Sequence, residues 1–317
     1  MYLINKNMQE LKFICAQPAT TYYAWQVEVM VNNFIEMGIP ANDIHIVCYI
    51  ETSEIPEQWI KLQNGYSANF FFYEDTRETK HYISSIRPNI LKQHWLSHPE
   101  LNDVAVFYHD CDILFTRQIN WNQFLSDDKW YGSDTRWYIS HDYIISKGED
   151  VLNKMCEIVG IDKFIIAKNE LNSIGAQYLI KNVSWKFWNR VENDSEQLFK
   201  QITDLNNIKL LENQEYHPLQ IWCADMWSVL WNGWKYGKTT ICHSHLEFSW
   251  ATSPKEHLDM YNIFHNAGVV NNTSGLFYKS DYITEYPYNK NLIIDENSCS
   301  YFYWQEIQKT AQKSVLL

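Results

Sequence analysis

The sequence predicts an α/β protein with a mixed, mostly parallel sheet flanked by helices. Three observations carry this. Short apolar runs of strand length alternate with segments of helical apolar spacing through the first 116 of 317 residues, the pattern of βα units. The run Val104-Ala105-Val106-Phe107-Tyr108 leads into His109-Asp110-Cys111-Asp112 and out through Ile113-Leu114-Phe115, as one buried parallel strand would. Hydrophobic residues make up 46% of the chain, enough for a large core.

The elements follow in order. Lys12–Ala19 reads as a first strand. In Tyr22–Gly38 the residues Val27, Met30, Val31, Phe34 and Ile35 recur at helical spacing, and Gly38 suits the position after a helix. Ile44–Ile50 is a second strand, Glu57–Leu62 a short helix and Asn69–Tyr73 a third strand. Ser85–Ser97 is a helix with Pro88 near its start. After the Asp-x-Asp strand, Trp130–Gly132 and Ile174–Lys181 read as strands and Asp150–Val159 as a helix. Trp185–Gln201 is a helix with an aromatic face, and the polar stretch Glu192–Asn213 is expected to be exposed. Asp225–Trp234 is helical and ends at Gly237. From Lys279 onward the chain is rich in Tyr and Asn and is expected to be irregular. There is no repeat and no Gly/Pro/Ser-rich linker. The expectation is a single domain over 1–317, with a nucleotide-binding half (1–116) and an acceptor-side half (117–317).

Charge and cysteine usage narrow the class. The net charge is −12, with no basic stripe, so the chain carries no strong nucleic-acid signature. The seven cysteines are scattered without a CxxC pair and read as reduced, in a cytoplasmic setting. Neither a secretory leader nor a membrane-spanning segment is expected. Aromatic residues are abundant, with 14 Trp, 21 Tyr and 15 Phe. Such rings suit sugars, although most of them read as core.

The chemistry centres on Asp110 and Asp112. Two carboxylates at the end of a buried strand need compensation, and on a strand alternate residues point the same way. A Mg²⁺ or Mn²⁺ ion bridging them to a diphosphate would supply it. Asp112 is the candidate direct ligand, and Asp110 would share the metal or bind ribose. His265, in Phe264-His265-Asn266-Ala267-Gly268, is either a satisfied core histidine or a third ligand. Asp225, in Trp222-Cys223-Ala224-Asp225, is either a helix N-cap or an acid at the reaction centre. In Ser173-Ile174-Gly175-Ala176-Gln177, Gly175 permits close approach to a ligand and Gln177 can serve sugar hydroxyls. Arg87 and Lys279 are candidate cations for the diphosphate. His243, His245 and Glu247 alternate and would face one way, as a zinc-type cluster or, without a further structural-zinc pair, as a polar wall facing the acceptor. P-loop, GxGxxG, GxSxG and HExxH motifs are all missing from the sequence.

In this order the motifs resemble the GT-A glycosyltransferases, most of all the family-8-type enzymes and the plant hydroxyproline or serine glycosyltransferases. Phe107 to Phe115 is similar to the family's DxD strand. Ser173 to Asn182 resembles the strand that touches donor sugar and acceptor, here reading Gly-Ala-Gln in place of Asn-Ala-Gly. Asp225 falls where the family places an active-site acid, and Ile263 to Gly268 resembles its late metal-ligand His motif. The resemblance spans roughly residues 12 to 270. It implies a Rossmann-like GT-A fold and a hexosyl- or pentosyltransferase that uses Mn²⁺ or Mg²⁺ with a UDP-sugar or another nucleotide-diphosphate sugar. The acceptor would be a glycan, a protein hydroxyl or a modified nucleobase. Two other classes stay open: a carbohydrate-binding protein on an inactive transferase scaffold, and a metal-dependent phosphohydrolase.

Overall fold

A computed structural model describes residues 9–272 and 275–317. In chain order its elements begin with β1 (Leu11–Pro18), α1 (Thr21–Glu36), β2 (Ile44–Ile50), α2 (Glu57–Gly65), β3 (Asn69–Glu74), α3 (Ile86–Ser97), β4 (Ala105–His109) and β5 (Ile113–Phe115). They continue with β6 (Trp130–Asp134), α4 (Arg136–Ile139), α5 (His141–Ile145), α6 (Glu149–Val159), α7 (Lys163–Lys168), β7 (Ile174–Lys181), α8 (Trp185–Glu212) and α9 (Ala224–Lys235). The last are β8 (Thr240–Cys242), β9 (Phe248–Trp250), α10 (His257–Met260), β10 (Ile263–His265) and α11 (Cys299–Ala311). The fold is mixed α/β with mostly parallel strand pairing, as the sequence predicts. No helix among the described residues is long and apolar enough to cross a membrane.

The chain divides into two compact units, each made of discontinuous segments. The first unit comprises Leu11–Glu74, Tyr108–Trp121 and Ser244–Leu317; the second comprises residues 9–10, Asp75–Phe107 and Asn122–His243. The division falls inside β4.

In the first unit β1, β2 and β3 pair in parallel, with Phe13 opposite Ile44 and His45 opposite Asn69. These strands are the βα pattern of the sequence made solid, and α1 is buried along most of its length. A smaller sheet joins β5 antiparallel and β9 parallel to β10. The segment from Lys279 is not irregular throughout, because α11 closes it. Trp25 of α1 anchors that segment by donating its indole N–H to the carbonyl of Tyr282 at 3.1 Å. Buried Glu28 also holds it, accepting from Tyr288 Oη at 2.6 Å, Ser314 Oγ at 2.7 Å and the Val315 amide at 2.8 Å.

In the second unit β6 pairs antiparallel with β7 and parallel with β8. The register slips between Gly132 and Ser133: Gly132 faces Tyr178, but Ser133 faces Gly175. Ala176 and Gln177 are the extra residues of this bulge, and Ala176 takes a left-handed φ of 58°.

Two expectations give way here. The DxD run is not one strand, since β4 ends at His109 and Asp110 to Asp112 form the turn into β5. A strand's two-residue period therefore does not orient the carboxylates. Glu192–Asn213 is not an exposed polar stretch either. It continues α8 to Glu212, and Glu192, Ser195, Glu196, Ile202 and Asn206 are buried on one face at helical spacing. Hydropathy hides this face because its acids have partners. Glu192 accepts from Lys92 Nζ at 2.6 Å and Asn89 Nδ2 at 3.0 Å. Glu196 accepts from the His81 amide at 2.7 Å, the Tyr82 amide at 3.3 Å and the Ser85 hydroxyl.

Replacing Glu196 with Ala strands these buried donors, so Glu196→Ala is expected to destabilise the protein by about 3 kcal/mol in chemical denaturation. An effect under about 0.5 kcal/mol, the range of an ordinary surface position, would contradict the clamp.

Candidate functional site

The first unit brings Asp110, Asp112 and His265 together. Each offers one ligand atom, and these atoms lie within 4.8 Å of one another. His265 Nε2 is 3.4 Å from Asp112 Oδ1 and 3.6 Å from Asp110 Oδ2. The backbone explains the meeting. β10 runs antiparallel to β5 with His265 opposite Ile113, and the Asn266 amide donates to the Asp112 carbonyl at 2.9 Å. At the other end of the pairing the Thr116 amide donates to the Asn262 carbonyl at 2.9 Å. Asn33 of α1 pins β5 from the side, donating to the Phe115 carbonyl at 3.1 Å and accepting the Phe115 amide at 2.8 Å. The imidazole of His265 lies nearly parallel to the Trp250 ring, at 14° and 6.3 Å. Gly268 follows at φ 88°, a left-handed turn that glycine adopts without strain.

Lys279 completes the cluster by donating its ammonium to Asp112 Oδ2. Asp112 is only 5% exposed. Burial alone would raise its pKa, but Lys279 and His265 outweigh burial and hold the carboxyl well below the usual range. Burial likewise works to discharge Lys279, and the Asp112 carboxylate overrides it and pushes the ammonium pKa up. Two carboxylates and an imidazole form a donor set that suits a divalent ion such as Mn²⁺ or Mg²⁺. A second set, His141, Asp142 and Glu170, also converges, but the Asp142 side chain is 81% exposed and Glu170 accepts the His141 amide at 2.7 Å.

The second unit holds the remaining candidates. Asp225 lies in the first turn of α9 and is not its N-cap, which is Cys223. Asp225 Oδ1 accepts from the Met226 amide at 3.1 Å and from Tyr82 Oη at 2.8 Å, and Arg87 Nη1 is 3.8 Å from Oδ2. The Tyr82 hydroxyl is also 2.5 Å from the Trp222 carbonyl, so its one proton is shared between two acceptors. Burial, and then the charge of Asp225, push the Tyr82 hydroxyl pKa well up, which keeps it a donor. Tyr82 is held by the Glu196 clamp and stacks on Phe199 at 4.8 Å.

Gln177 is fully buried, and its Oε1 accepts from Ser133 Oγ at 2.6 Å. A Cβ on Gly175 would fall 2.5 Å from Thr135 Oγ1 and 2.6 Å from Met226 Cε, so the close approach that requires this glycine is made by the protein's own side chains. His243, His245 and Glu247 do not form one strand face. His243 follows β8 in the second unit, and His245 lies in a 3₁₀ turn of the first. Sequence reasoning missed Tyr82 and Glu196. Neither sits in a motif, and their partners are more than a hundred residues away in the chain.

No protein-family profile matches the sequence, and neither does any curated protein. Solved structures do resemble the fold. The apo structure of the bifunctional glycosyltransferase WbbM has a TM-score of 0.50 at 8% identity; the alignment covers 99% of this chain but 52% of that one. This chain therefore spans about half the length of that protein. The galactosyltransferase LgtC, in complex with donor and acceptor sugar analogs, has a TM-score of 0.46 at 11% identity, covering 94% of this chain and 95% of that one. The glycosyltransferase GlyE of Streptococcus pneumoniae TIGR4 has a TM-score of 0.39 at 14% identity, covering 98% and 62%. At these identities the likeness is one of fold.

If the carboxylate–imidazole cluster accepts a cation, Mn²⁺ should raise the melting temperature with concentration, because only the folded state offers the site. Asp112→Asn should abolish that rise in differential scanning fluorimetry. An equal rise in wild type and variant would place the ion elsewhere.

Proposed function

We propose that this protein is a metal-dependent glycosyltransferase that moves a sugar from a nucleotide-diphosphate sugar to a hydroxyl acceptor. The observation that carries the reading is the convergence of Asp110, Asp112 and His265, with Lys279 on Asp112, in a fold shared with a glycosyltransferase. Asp112 and His265 would hold a divalent ion, Mn²⁺ or Mg²⁺, with Asp110 sharing it or binding the donor ribose. Such an ion supplies charge neutralisation to a leaving diphosphate. Lys279 is the cation assigned to phosphate oxygens in this reading.

In the transfer, the bond between the anomeric carbon and the diphosphate oxygen breaks, and its electron pair leaves with the nucleoside diphosphate. The acceptor oxygen bonds to that carbon and gives up its proton. Asp225 is the residue assigned to take this proton or to stabilise the positive charge developing on the sugar. Tyr82 and Arg87 are positioning residues for its carboxylate, and Gln177 is the candidate partner of sugar hydroxyls. The expected halves, 1–116 for the nucleotide sugar and 117–317 for the acceptor, belong to this proposal. So does a cytoplasmic setting, which the seven free thiols suit.

Calorimetry with UDP and with GDP tests the donor side. One of them should bind in the presence of Mn²⁺ and much more weakly with EDTA, and equal affinity in both conditions would remove the metal from the reading. Product analysis separates the alternatives: a transferase releases nucleoside diphosphate, whereas a phosphohydrolase releases inorganic phosphate. Asp225→Asn tests the acid. It should keep the melting temperature and donor affinity while lowering kcat by about a hundredfold or more, because its loss is felt in the transition state. Wild-type turnover in Asp225→Asn would retire that assignment.

A further inference from the structure

Most of the tryptophans are buried or half-buried. Among the described residues only Trp137 and Trp222 count as exposed, at 66% and 57%. These two meet the same ring. Trp222 stacks on Tyr138 with centroids 5.9 Å apart and planes inclined by 20°. Trp137 packs against Tyr138 at 4.5 Å and 64°. Tyr138 itself is 4% exposed, so it forms a fixed floor beneath two open indoles. The floor is held from inside, where buried Trp227 donates its indole N–H to the Ile139 carbonyl at 2.9 Å. The Trp222 backbone is held as well, by the Tyr82 hydroxyl on its carbonyl. The rings thus stand ready before any ligand arrives, which lowers the ordering cost of binding.

Polar groups border them. Asp225 follows Trp222 by three residues at the start of α9, and the Tyr82 hydroxyl touches both the Trp222 carbonyl and the Asp225 carboxylate. Arg87 stands 3.8 Å from Asp225. Next to Trp137 in sequence, Arg136 forms an ion pair with Asp134 whose side chains are 41% and 29% exposed. Open indoles fringed by carboxylates and guanidinium groups match the two surfaces of a pyranose: its C–H face lies on a ring, and its equatorial hydroxyls reach the charged edge. A stable protein partner would need on the order of 800 Å² from this side, well beyond two rings bounded by charge.

We propose that Trp222, flanked by Trp137, is the acceptor platform and that the acceptor is a saccharide rather than a peptide or a nucleobase. This rests on the glycosyltransferase reading, to which it adds the acceptor class.

The test uses the full chain on a printed oligosaccharide array, followed by titration of the best-captured glycan with tryptophan fluorescence as the readout. Wild type should be retained by a subset of glycans, with the emission shifting to shorter wavelength on binding. Trp222→Ala and Trp137→Ala, made separately in case one fails to fold, should each weaken glycan affinity by about tenfold or more. Their melting temperatures, and their Mn²⁺-dependent affinities for whichever of UDP and GDP wild type binds, should stay at wild-type values. The platform is overturned if wild type captures no glycan, or if both variants bind glycan as wild type does. It is also overturned if wild type elutes as a dimer that Trp222→Ala converts to a monomer, since a second copy would then cover the rings. Tryptophan-dependent glycan capture without any nucleotide binding would uphold the platform and defeat the transferase reading instead.

Discussion

A buried carboxylate governs the first unit. Asp112 is almost completely removed from water, and an ionised carboxyl in that position is tolerated only with compensating partners in place. Both partners come from distant sequence. His265 arrives because β10 pairs with β5, and Lys279 follows beyond the turn at Gly268. Much of the local architecture can be read as support for that one charge. Asn33 fixes β5, the edge strand of its three-stranded sheet among the described residues, Trp250 lies parallel to the imidazole, and the Asn266 amide locks the Asp112 carbonyl. Removing the Lys279 ammonium would leave a buried charge uncompensated, which costs far more than the pair gains by being present. The same negative potential that holds an ammonium suits a divalent cation, so stability and the proposed chemistry draw on one arrangement.

The second unit solves a different problem with the same means. Glu192 and Glu196 are acids on a buried helix face, a placement that an apolar pair would fill at no greater cost to stability. What they provide is position. Glu196 gathers the backbone from His81 to Ser85, and that segment presents the Tyr82 hydroxyl to Asp225 and to the Trp222 carbonyl. A flexible loop could place a tyrosine there only part of the time. A loop clamped by a buried carboxylate places it always, and with it the acid whose orientation the proposed transfer needs.

The sequence made the regular elements legible to the extent that their signals were local. The apolar runs at Ile44–Ile50 and Ile174–Lys181 coincide with β2 and β7, and the periodicity of Val27, Met30, Val31 and Phe34 marks α1. The Asp-x-Asp pair and the late His were visible as residue types, but not the way they meet. β5, β9 and β10 have three residues each, too few for a two-residue period to register, and the pairing of β5 with β10 joins positions some 150 apart. The turn at Asp110 to Asp112 was hidden by the apolar residues on both sides of it. The α8 face was hidden because hydropathy scores Glu192 and Glu196 as solvent-seeking whatever their partners. The helix at Cys299–Ala311 was masked by a Tyr- and Asn-rich approach. For the site and the α8 face the deciding interactions are non-local.

The bulge beside Gln177 shows how a departure from a familiar motif acquires a physical meaning. Ala176 adopts a left-handed conformation, which costs an alanine about 1 kcal/mol, and such strain persists only where the surroundings over-determine it. Thr135 and Met226 press on Gly175, so glycine is spent on close packing at the position before the strained one. The register slip sets Ala176 and Gln177 outside the paired register of β6 and β7, and Gln177 Oε1 accepts from Ser133 Oγ. In the Gly-Ala-Gln order the small residue avoids a clash with Thr135 and Met226, and the amide is held by Ser133.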